Sequence, residues 1–470
     1  MSEAQALFTV LRQSADPVAA AAIERHVTEA QARELCRINV LDFAARYGLD
    51  EERAIGAFLH AARIGLFELS WNVLCPGCGG VLDSNATLKG IRRDQYACAL
   101  CAAGYEATLD ELVEVVFTVS PRVRRIAAHD PHTLEFAEYA RQMFWGSGID
   151  LPDDQAFEQL LDEIIIDMVE LPAGDKAILS LQLPKQFCIL FDPVTHSTHF
   201  INVQGNPVRE RQNLTIVFSK LRPTTGNLEL RPGPLRLVLD NRTDTRVLPA
   251  LWIAGDRLHD LLGKRKPFVT AKRLLTNQTF RDIYRTDALD VDQRLKITSL
   301  TFLFTDLKGS TALYERVGDL VAYDMVRSHF RVLHEVVTSE AGAIVKTIGD
   351  AVMATFSTPD RALSAALKMR EAMRALNAEG KHEDLLLKIG MHEGPCLAVM
   401  LNDRLDYFGQ TVNIAARVQG LAISSSIFAT KPVIAHKKSA ELLGASGLTP
   451  VRKQTLLRGI ADQLTVYEIP

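Results

Sequence analysis

The sequence predicts an α+β protein built from several domains, and three changes in its hydrophobic pattern support this prediction. Apolar residues follow a helical period over residues 5–66 and again over residues 131–171. Over residues 178–253 the period is two, and from residue 297 onward predicted strands and helices are interleaved. The chain has 470 residues, which is enough for about three domains that each bury a core.

Residues 1–70 form the first predicted segment, which is helical. Residues 40–50 and 51–63 resemble the two short helices of a winged-helix unit, and this raises the possibility of a DNA-binding role. The segment contains seven arginines, no lysine and ten acidic residues, so its net charge is −3. Because a helix that enters a DNA groove normally carries a basic surface, we interpret the segment as a scaffold and do not expect nucleic acid as a partner.

Residues 71–120 contain four of the seven cysteines in two Cys-x-x-Cys pairs. Cys75 and Cys78 are followed, after nineteen residues, by Cys98 and Cys101. This spacing is typical of a zinc ribbon, in which each pair supplies two thiolates to one tetrahedral ion. A disulfide is the weaker explanation in a reducing cytosol, and a dithiol redox motif needs only one pair. We therefore expect structural Zn²⁺, with no open coordination position for catalysis.

Residues 121–255 are predicted to form a helical insert followed by a small antiparallel β-sandwich. The helical pattern runs through residues 131–171, and short strands separated by Pro, Gly and Asn turns follow it. Residues 256–296 are more polar and basic, with a helix around residues 274–284. We interpret this part as a connector.

Residues 297–470 are predicted to be the last domain, in which hairpins alternate with helices. This order favours a split βαβ, or ferredoxin-like, sheet. The predicted helices cover residues 319–341, 360–378 and 411–422. The predicted strands cover residues 300–304, 343–356 (a hairpin), 385–391, 397–401, 426–430 and 464–469.

Two aspartates in this domain follow apolar strands. Asp306 ends the strand at residues 300–304 and opens into Gly-Ser-Thr, and Asp350 lies at the tip of the hairpin. Backbone N–H groups at such a turn can face phosphate oxygens, and two carboxylates at adjacent strand ends can hold two metal ions. The alternative is structural, because Asp306 can cap a helix and Asp350 can occupy a turn.

Three further polar residues lie near these positions. Lys346 stands four residues before Asp350, where its ammonium can donate to a ring nitrogen or a phosphate. Asn413 and Arg417 are four residues apart on a predicted helix and share one face, which suits a sugar hydroxyl beside a phosphate. The alternatives are a solvated strand lysine and an exposed helical pair.

Residues 298–470 resemble the catalytic domain of class III adenylate and guanylate cyclases. The resemblance covers about 170 residues and depends on specific motifs at the spacing of the family. These motifs are Phe-Thr-Asp306-Leu-Lys-Gly-Ser-Thr, Lys346-Thr-Ile-Gly-Asp350, Asp406-x-x-Gly-x-x-Val-Asn413-x-Ala-Ala-Arg417 and Leu457-Arg-Gly-Ile. The front half resembles an uncharacterised region found ahead of such domains in bacterial proteins.

The resemblance implies a role for each motif residue. Asp306 and Asp350, with the carbonyl of Leu307, would bind two Mg²⁺ or Mn²⁺ ions in each active site. Lys346 and Asp406 would read the purine, which favours ATP over GTP. Asn413 would orient the ribose, Arg417 would stabilise charge on the α-phosphate, and Arg458 would reach the terminal phosphates.

The implied protein is a soluble adenylate cyclase of intracellular signalling that makes cyclic AMP and pyrophosphate from ATP. The resemblance implies a homodimer in which each site combines residues of both subunits, regulated by residues 1–296. No apolar run approaches the ~20 residues that cross a bilayer, and the first residues lack a basic stretch before an apolar one, so we expect a cytoplasmic protein without a membrane partner. Two alternatives remain: a cyclase that makes cyclic GMP, UMP or CMP, and a nucleotide-sensing regulatory or DNA-binding protein without catalysis.

Overall fold

Two compact units make up this computed structural model of the chain. The first unit consists of Met1–Ala86, Arg93–Ala107 and Leu112–Val269, and the second of Thr87–Arg92, Thr108–Glu111 and Thr270–Pro470. The finer division into five segments stays a prediction. The structure describes residues 3–91, 95–219, 226–284, 289–290, 292–379, 385–423, 426–457, 460 and 463–470.

The helices of the first unit have residues suited to their ends. The side chain of Asp50 accepts a hydrogen bond from the backbone N–H of Arg53 at the start of one helix, and Gly48, with φ of 63°, ends the preceding one in the left-handed conformation. The helices are α1 (Glu3–Ser14), α2 (Pro17–Glu29), α3 (Val40–Tyr47), α4 (Glu51–Arg63), α5 (Phe136–Tyr139), α6 (Asp154–Ile164) and α7 (Asp256–Gly263).

Within the residues that the structure describes, the strands of the first unit form four sheets, in the orders β2-β1-β5, β3-β4, β10-β12-β7 and β11-β9-β8-β13-β6. The strands are β1 (Phe67–Leu74), β2 (Val81–Asn85), β3 (Gln95–Cys98), β4 (Ala103–Glu106), β5 (Val113–Val119), β6 (Ile165–Met168), β7 (Lys176–Leu183), β8 (Phe187–Asp192), β9 (Ser197–Val203), β10 (Gln212–Phe218), β11 (Gly226–Leu230), β12 (Gly233–Asn241) and β13 (Ala250–Ile253).

The last two of these sheets share one core, which contains Leu190 and Ile201 from one sheet and Phe218 and Leu237 from the other. The predicted antiparallel pairing is wrong for two strand pairs, since β9–β11 and β10–β12 are parallel. The chain alternates between the sheets from β9 to β12, so neighbours within a sheet are two strands apart in sequence and run in the same direction.

The helical pattern predicted over residues 131–171 does not continue as a helix to residue 171. Helix α6 ends at Ile164, and the next four residues form β6, which pairs with β13. Ile165 is β-branched, which favours a strand, and it pairs with Trp252 of β13, while Asp167 and Met168 pair with Leu251 and Ala250. Tertiary pairing therefore overrides the helical period here.

The second unit is built on an eight-stranded mixed sheet in the order β15-β16-β14-β17-β19-β21-β20, with β18 paired to β17. Its strands are β14 (Leu295–Leu307), β15 (Gly342–Ile348), β16 (Ala351–Phe356), β17 (Leu387–Leu401), β18 (Arg404–Phe408), β19 (Ile427–Thr430), β20 (Val451–Thr455) and β21 (Leu464–Ile469). Its helices are α8 (Ala271–Leu275), α9 (Gln278–Ile283), α10 (Ser310–Val317), α11 (Asp319–Ser339), α12 (Pro359–Glu379), α13 (Gln410–Gln419), α14 (Lys431–Ala435) and α15 (Lys437–Ala445).

Strand β17 is continuous where the sequence predicts two strands. Pro395 lies at the point where the register between β14 and β17 shifts, between the pairs Ile297–Cys396 and Leu300–Gly394. A proline at such an irregularity removes no ladder hydrogen bond, so the strand continues through it.

The two faces of the large sheet have different partners. Leu303 and Leu307 of β14 belong to a core with Leu333 of α11 and Met369 of α12. Phe302 precedes Leu303 in β14 and points to the other face, where its ring centroid lies 5.6 Å from that of Tyr407 in β18. None of the helices in the described residues combines the length and apolarity that crossing a bilayer requires.

Candidate active site and cysteine cluster

The two aspartates lie at neighbouring strand ends. Thr305 of β14 pairs with Val352 of β16, and the hydroxyl of Thr305 accepts a hydrogen bond of 3.2 Å from the N–H of Val352. Asp306 follows on β14, and Asp350 occupies the turn between β15 and β16. Gly349, with φ of 63°, shapes this turn. The antiparallel register therefore brings the carboxylates to one edge of the sheet.

Both carboxylates have oxygens that suit a cation. Within the described part of the chain, Oδ2 of Asp350 is buried and has no hydrogen-bond partner. Oδ2 of Asp306 lies 3.3 Å from Nζ of Lys388 on β17. A buried carboxylate oxygen without a donor is costly unless a cation satisfies it, and hard divalent ions prefer oxygen ligands. With the carbonyl of Leu307 at the same strand end, these residues fit Mg²⁺ or Mn²⁺.

Lys388 and His329 are neighbours of this site that the motifs do not include. Lys388 pairs with Asp306 in the β14–β17 register, so only knowledge of the strand pairing would have indicated it. His329 of α11 is fully buried, and burial lowers its pKa to about 4, against a smaller opposing influence of Asp350. The ring is therefore neutral at pH 7 and adds no charge beside Asp350.

Lys346 and Asp406, the two residues that the resemblance gives a role in base recognition, form an ion pair. Nζ of Lys346 lies 2.5 Å from Oδ2 of Asp406, and Oδ1 accepts a hydrogen bond of 2.8 Å from the N–H of Tyr407. The side chain of Asp406 is 10% exposed and that of Lys346 is 41% exposed. A buried acceptor thus stands beside a donor that solvent or a ligand can reach.

Helix α13 carries Asn413 and Arg417 on one side. Asn413 is exposed and Arg417 half-buried, and among the described residues neither side chain has a hydrogen-bond or ion-pair partner. The helix lies very close to β17, because a Cβ atom on Gly390 would be only 2.1 Å from the backbone nitrogen of Gln419. Glycine at this position allows the approach that places the amide and the guanidinium.

The structure thus contains three groups of predicted residues: the aspartates, the Lys346–Asp406 pair and the α13 pair. In the described ranges no hydrogen bond or ion pair joins one group to another. Arg458, the residue predicted to reach the terminal phosphates, lies outside the described residues.

The four cysteines of the first unit form a cluster. Their sulfur atoms all lie within 4.8 Å of one another, with 3.6 Å between Cys75 and Cys101 and between Cys78 and Cys98. All four are free thiols rather than disulfides. Four thiolates around one zinc ion at 2.3 Å are about 3.8 Å apart, so the spacing fits a tetrahedral metal.

Two family descriptions match the chain. The first is a family of unknown function, DUF5939, over residues 1–282, and the second is the adenylate and guanylate cyclase catalytic domain over residues 293–467.

Individual proteins match a part of the chain. An adenylate cyclase of Anabaena cylindrica is 26% identical over 185 residues, which is 36% of this chain and 36% of that protein. Human guanylyl cyclase C is 27% identical over 183 residues, 36% of this chain and 16% of that protein. The chain therefore spans about a third or less of the length of these relatives. The crystal structure of the adenylyl cyclase CyaB from P. aeruginosa matches with 22% identity and a TM-score of 0.34, covering 38% of this chain and 96% of that one.

Proposed function

We propose that this chain, which belongs to the DUF5939 family and carries a class III adenylate and guanylate cyclase catalytic domain at residues 293–467, is an adenylate cyclase that converts ATP to 3′,5′-cyclic AMP and pyrophosphate. The observation that carries the choice of ATP is the Lys346–Asp406 pair. Asp406 can accept from the exocyclic amine of adenine while Lys346 donates to a ring nitrogen, whereas guanine needs the reverse polarity at these positions.

The reaction closes a ring within one nucleotide. The 3′-hydroxyl oxygen of the ribose bonds to the α-phosphorus, the bond from that phosphorus to the β-bridging oxygen breaks, and pyrophosphate leaves with the electron pair. The hydroxyl proton passes to solvent, since we assign no side-chain base. Asn413 holds the ribose in position, and Arg417 offers a planar pair of donors to the charge that develops on the α-phosphate.

Asp306, Asp350 and the carbonyl of Leu307 are the residues that would hold divalent ions. When bound there, Mg²⁺ or Mn²⁺ would lower the pKa of the 3′-hydroxyl and neutralise charge on the phosphates. Lys388 adds a positive charge beside Asp306 at 3.3 Å, so the region stays favourable for a triphosphate.

A homodimer with two equivalent sites completes the proposal. The aspartates of one subunit would face Lys346, Asp406, Asn413 and Arg417 of the other, which agrees with the absence of contacts among these groups within the described parts of one chain. In such an assembly each subunit supplies half of each site.

The test is a nucleotide assay of the full chain with Mg²⁺ and with Mn²⁺. We expect cyclic AMP from ATP, and less product from GTP, CTP and UTP in competition. The human relative is a guanylyl cyclase, so cyclic GMP is the second candidate product, and a preference for GTP would replace ATP in the proposal. No cyclic nucleotide from any of the four substrates with either metal would overturn the enzymatic function.

We also propose that the four-cysteine cluster holds one structural Zn²⁺. The spacing of the sulfur atoms supports this, and four thiolates leave no open position for substrate. Elemental analysis should find about one zinc per chain. In the Cys78→Ser variant the zinc content should fall, whereas Cys188→Ser, at a buried thiol outside the cluster, should retain it. Full zinc content in Cys78→Ser would contradict the site.

A further inference from the structure

Helix α9 contacts both strands that carry the base-reading pair. Oε1 of Gln278 accepts a hydrogen bond of 2.8 Å from the N–H of Ile344 on β15, two residues before Lys346. Nη2 of Arg281 donates a hydrogen bond of 2.6 Å to the carbonyl of Leu405 on β18, the residue before Asp406. One short helix therefore holds the backbone beside both Lys346 and Asp406.

These two contacts occur where the sheet itself offers little support. Strand β15 is an edge strand, and its register with β16 shifts between Ile344 and Lys346. Edge strands have backbone N–H groups without a neighbouring strand, and Gln278 supplies the missing acceptor for Ile344. The amide of Gln278 is itself oriented, since its Nε2 donates to Asp282 at 3.0 Å. The helix thus replaces a strand partner at the irregularity next to Lys346.

Arg281 is fixed from two sides. Besides its bond to Leu405, its guanidinium carbon lies 5.9 Å from the ring centre of Tyr407, the residue after Asp406. In the described chain, its Nη1 is buried and has no hydrogen-bond partner. The arginine therefore touches the residues before and after Asp406 without touching the acid's own carboxylate pair with Lys346.

A cavity of about 240 Å³ lies beside Lys346, where α9 meets the two strands. Its walls come from α9, β15 and β18, and Lys346 and Leu405 are among the lining residues. The position of the two backbones sets how far the ammonium of Lys346 must reach to Asp406. A shift of α9 would change that distance without displacing any residue that contacts the phosphates.

We propose that Gln278 and Arg281 are positioning residues that set the spacing between Lys346 and Asp406, and so the selectivity of the enzyme for its nucleotide base. The inference rests on the proposed function. Helix α9 lies at the end of the region matched by the family of unknown function, which reaches residue 282, yet it belongs to the second unit. The part of the connector that forms α9 is thereby part of the base-recognition apparatus, and its position determines which nucleotide is used.

The test compares Arg281→Met and Gln278→Met with the matched control Arg331→Met, an exposed arginine on α11. We expect Arg281→Met to raise KM for ATP about tenfold and to lower the preference for ATP over GTP by a similar factor. A factor of ten corresponds to a loss of about 1.4 kcal/mol in the binding of the base. The value of kcat should change less than about twofold, because the residue does not contact the reacting atoms. Arg281→Lys restores the positive charge without the planar guanidinium group, so it should recover part of the preference for ATP over GTP. Arg331→Met should match the wild type.

Two results would overturn the inference. The first is that Arg281→Met has the same KM and base preference as Arg331→Met although its thermal unfolding midpoint shows that it is folded. The other is a fall in kcat at unchanged KM and preference in both α9 variants. Binding of the fluorescent probe mant-ATP, in competition with ATP and GTP, gives the same comparison without turnover. Failure of the proposed function appears instead as a wild-type protein that makes no cyclic nucleotide. If Arg281→Met does not fold, Gln278→Met decides the question.

Discussion

Lys346 and Asp406 meet at 2.5 Å although they are 60 positions apart in the sequence. Asp406 lies on β18, which forms a hairpin with β17, and this hairpin places the carboxylate beside Lys346. The ring of Tyr407 packs against Phe302 and fixes β18 on the sheet. Burial raises the pKa of Tyr407 to about 12, so its hydroxyl stays protonated and donates to the carbonyl of Leu275 at 3.3 Å. The pair is therefore preformed within one chain.

Replacing Lys346 by glutamate should loosen base choice. The variant places a second carboxylate beside Asp406, so the two acids repel each other and the proposed donor to the purine ring is lost. We expect the preference for ATP over GTP, measured as the ratio of the two kcat/KM values, to fall at least about tenfold, the equivalent of one charge-assisted hydrogen bond. Lys438→Glu, at an exposed lysine of α15, is the control. Unchanged selectivity in Lys346→Glu would contradict the role of the lysine.

Two inactive variants should restore activity to each other if the sites lie between subunits. Asp306→Ala removes a proposed metal ligand and Arg417→Ala removes the group proposed to stabilise the phosphate, so each homodimer should lose more than about 99% of the activity. In a dimer of one subunit of each kind, one of the two sites is intact.

Co-expression with two different affinity tags allows this mixed dimer to be purified. A statistical mixture should show about a quarter of wild-type activity, and the purified mixed dimer about half. Asp324→Asn, at an exposed residue of α11, is the control for loss of a carboxylate and should remain active. A mixed dimer that is as inactive as its parents would show that each site is built from one chain.

The motif residues could be located from the sequence because each motif is local. The hairpin that carries Lys346 and Asp350 and the helix that carries Asn413 and Arg417 have the predicted elements at the predicted places. Each cysteine pair could be located for the same reason, because it is one turn of chain, and the repeated spacing indicated that the two pairs meet, as they do through Cys75–Cys101 and Cys78–Cys98.

What could not be predicted depends on pairing across long stretches of sequence. Lys388 lies beside Asp306 only because β14 and β17 pair in one particular register. Gln278 and Arg281 look like ordinary polar residues of a connector until β15 and β18 are placed next to them. The strand at Ile165–Met168 has a helical hydrophobic period and becomes a strand because β13 is its neighbour.

Gly390→Ala should disturb α13 and with it Asn413 and Arg417. The new methyl group would lie 2.1 Å from the backbone nitrogen of Gln419, a distance that requires the helix to move. We expect a loss of about 1–3 kcal/mol in the free energy of unfolding, as for other overpacked sites, and at least tenfold lower kcat. Gly444→Ala on α15 is the matched control, since nothing lies within 4 Å of its added Cβ, and it should stabilise the protein by up to about 1 kcal/mol. Equal behaviour of the two variants would show that α13 tolerates the shift.

The stability of the protein should depend on pH through His392. This residue of β17 is buried, its Nδ1 lies 2.7 Å from the hydroxyl of Thr430, and burial lowers its pKa to about 4 from the ordinary value of 6.5. In the unfolded chain the imidazole takes up a proton below pH 6.5, whereas the folded protein resists it. The contribution of His392 to the free energy of unfolding is therefore complete above pH 6.5 and is lost progressively as the pH falls from 6.5 toward 4.

The variant His392→Gln cannot titrate, so the difference in unfolding free energy between pH 7 and pH 4 should be smaller than in the wild type by up to about 3 kcal/mol. Urea unfolding at a series of pH values measures this difference, and identical pH profiles for the two proteins would exclude His392 as the source.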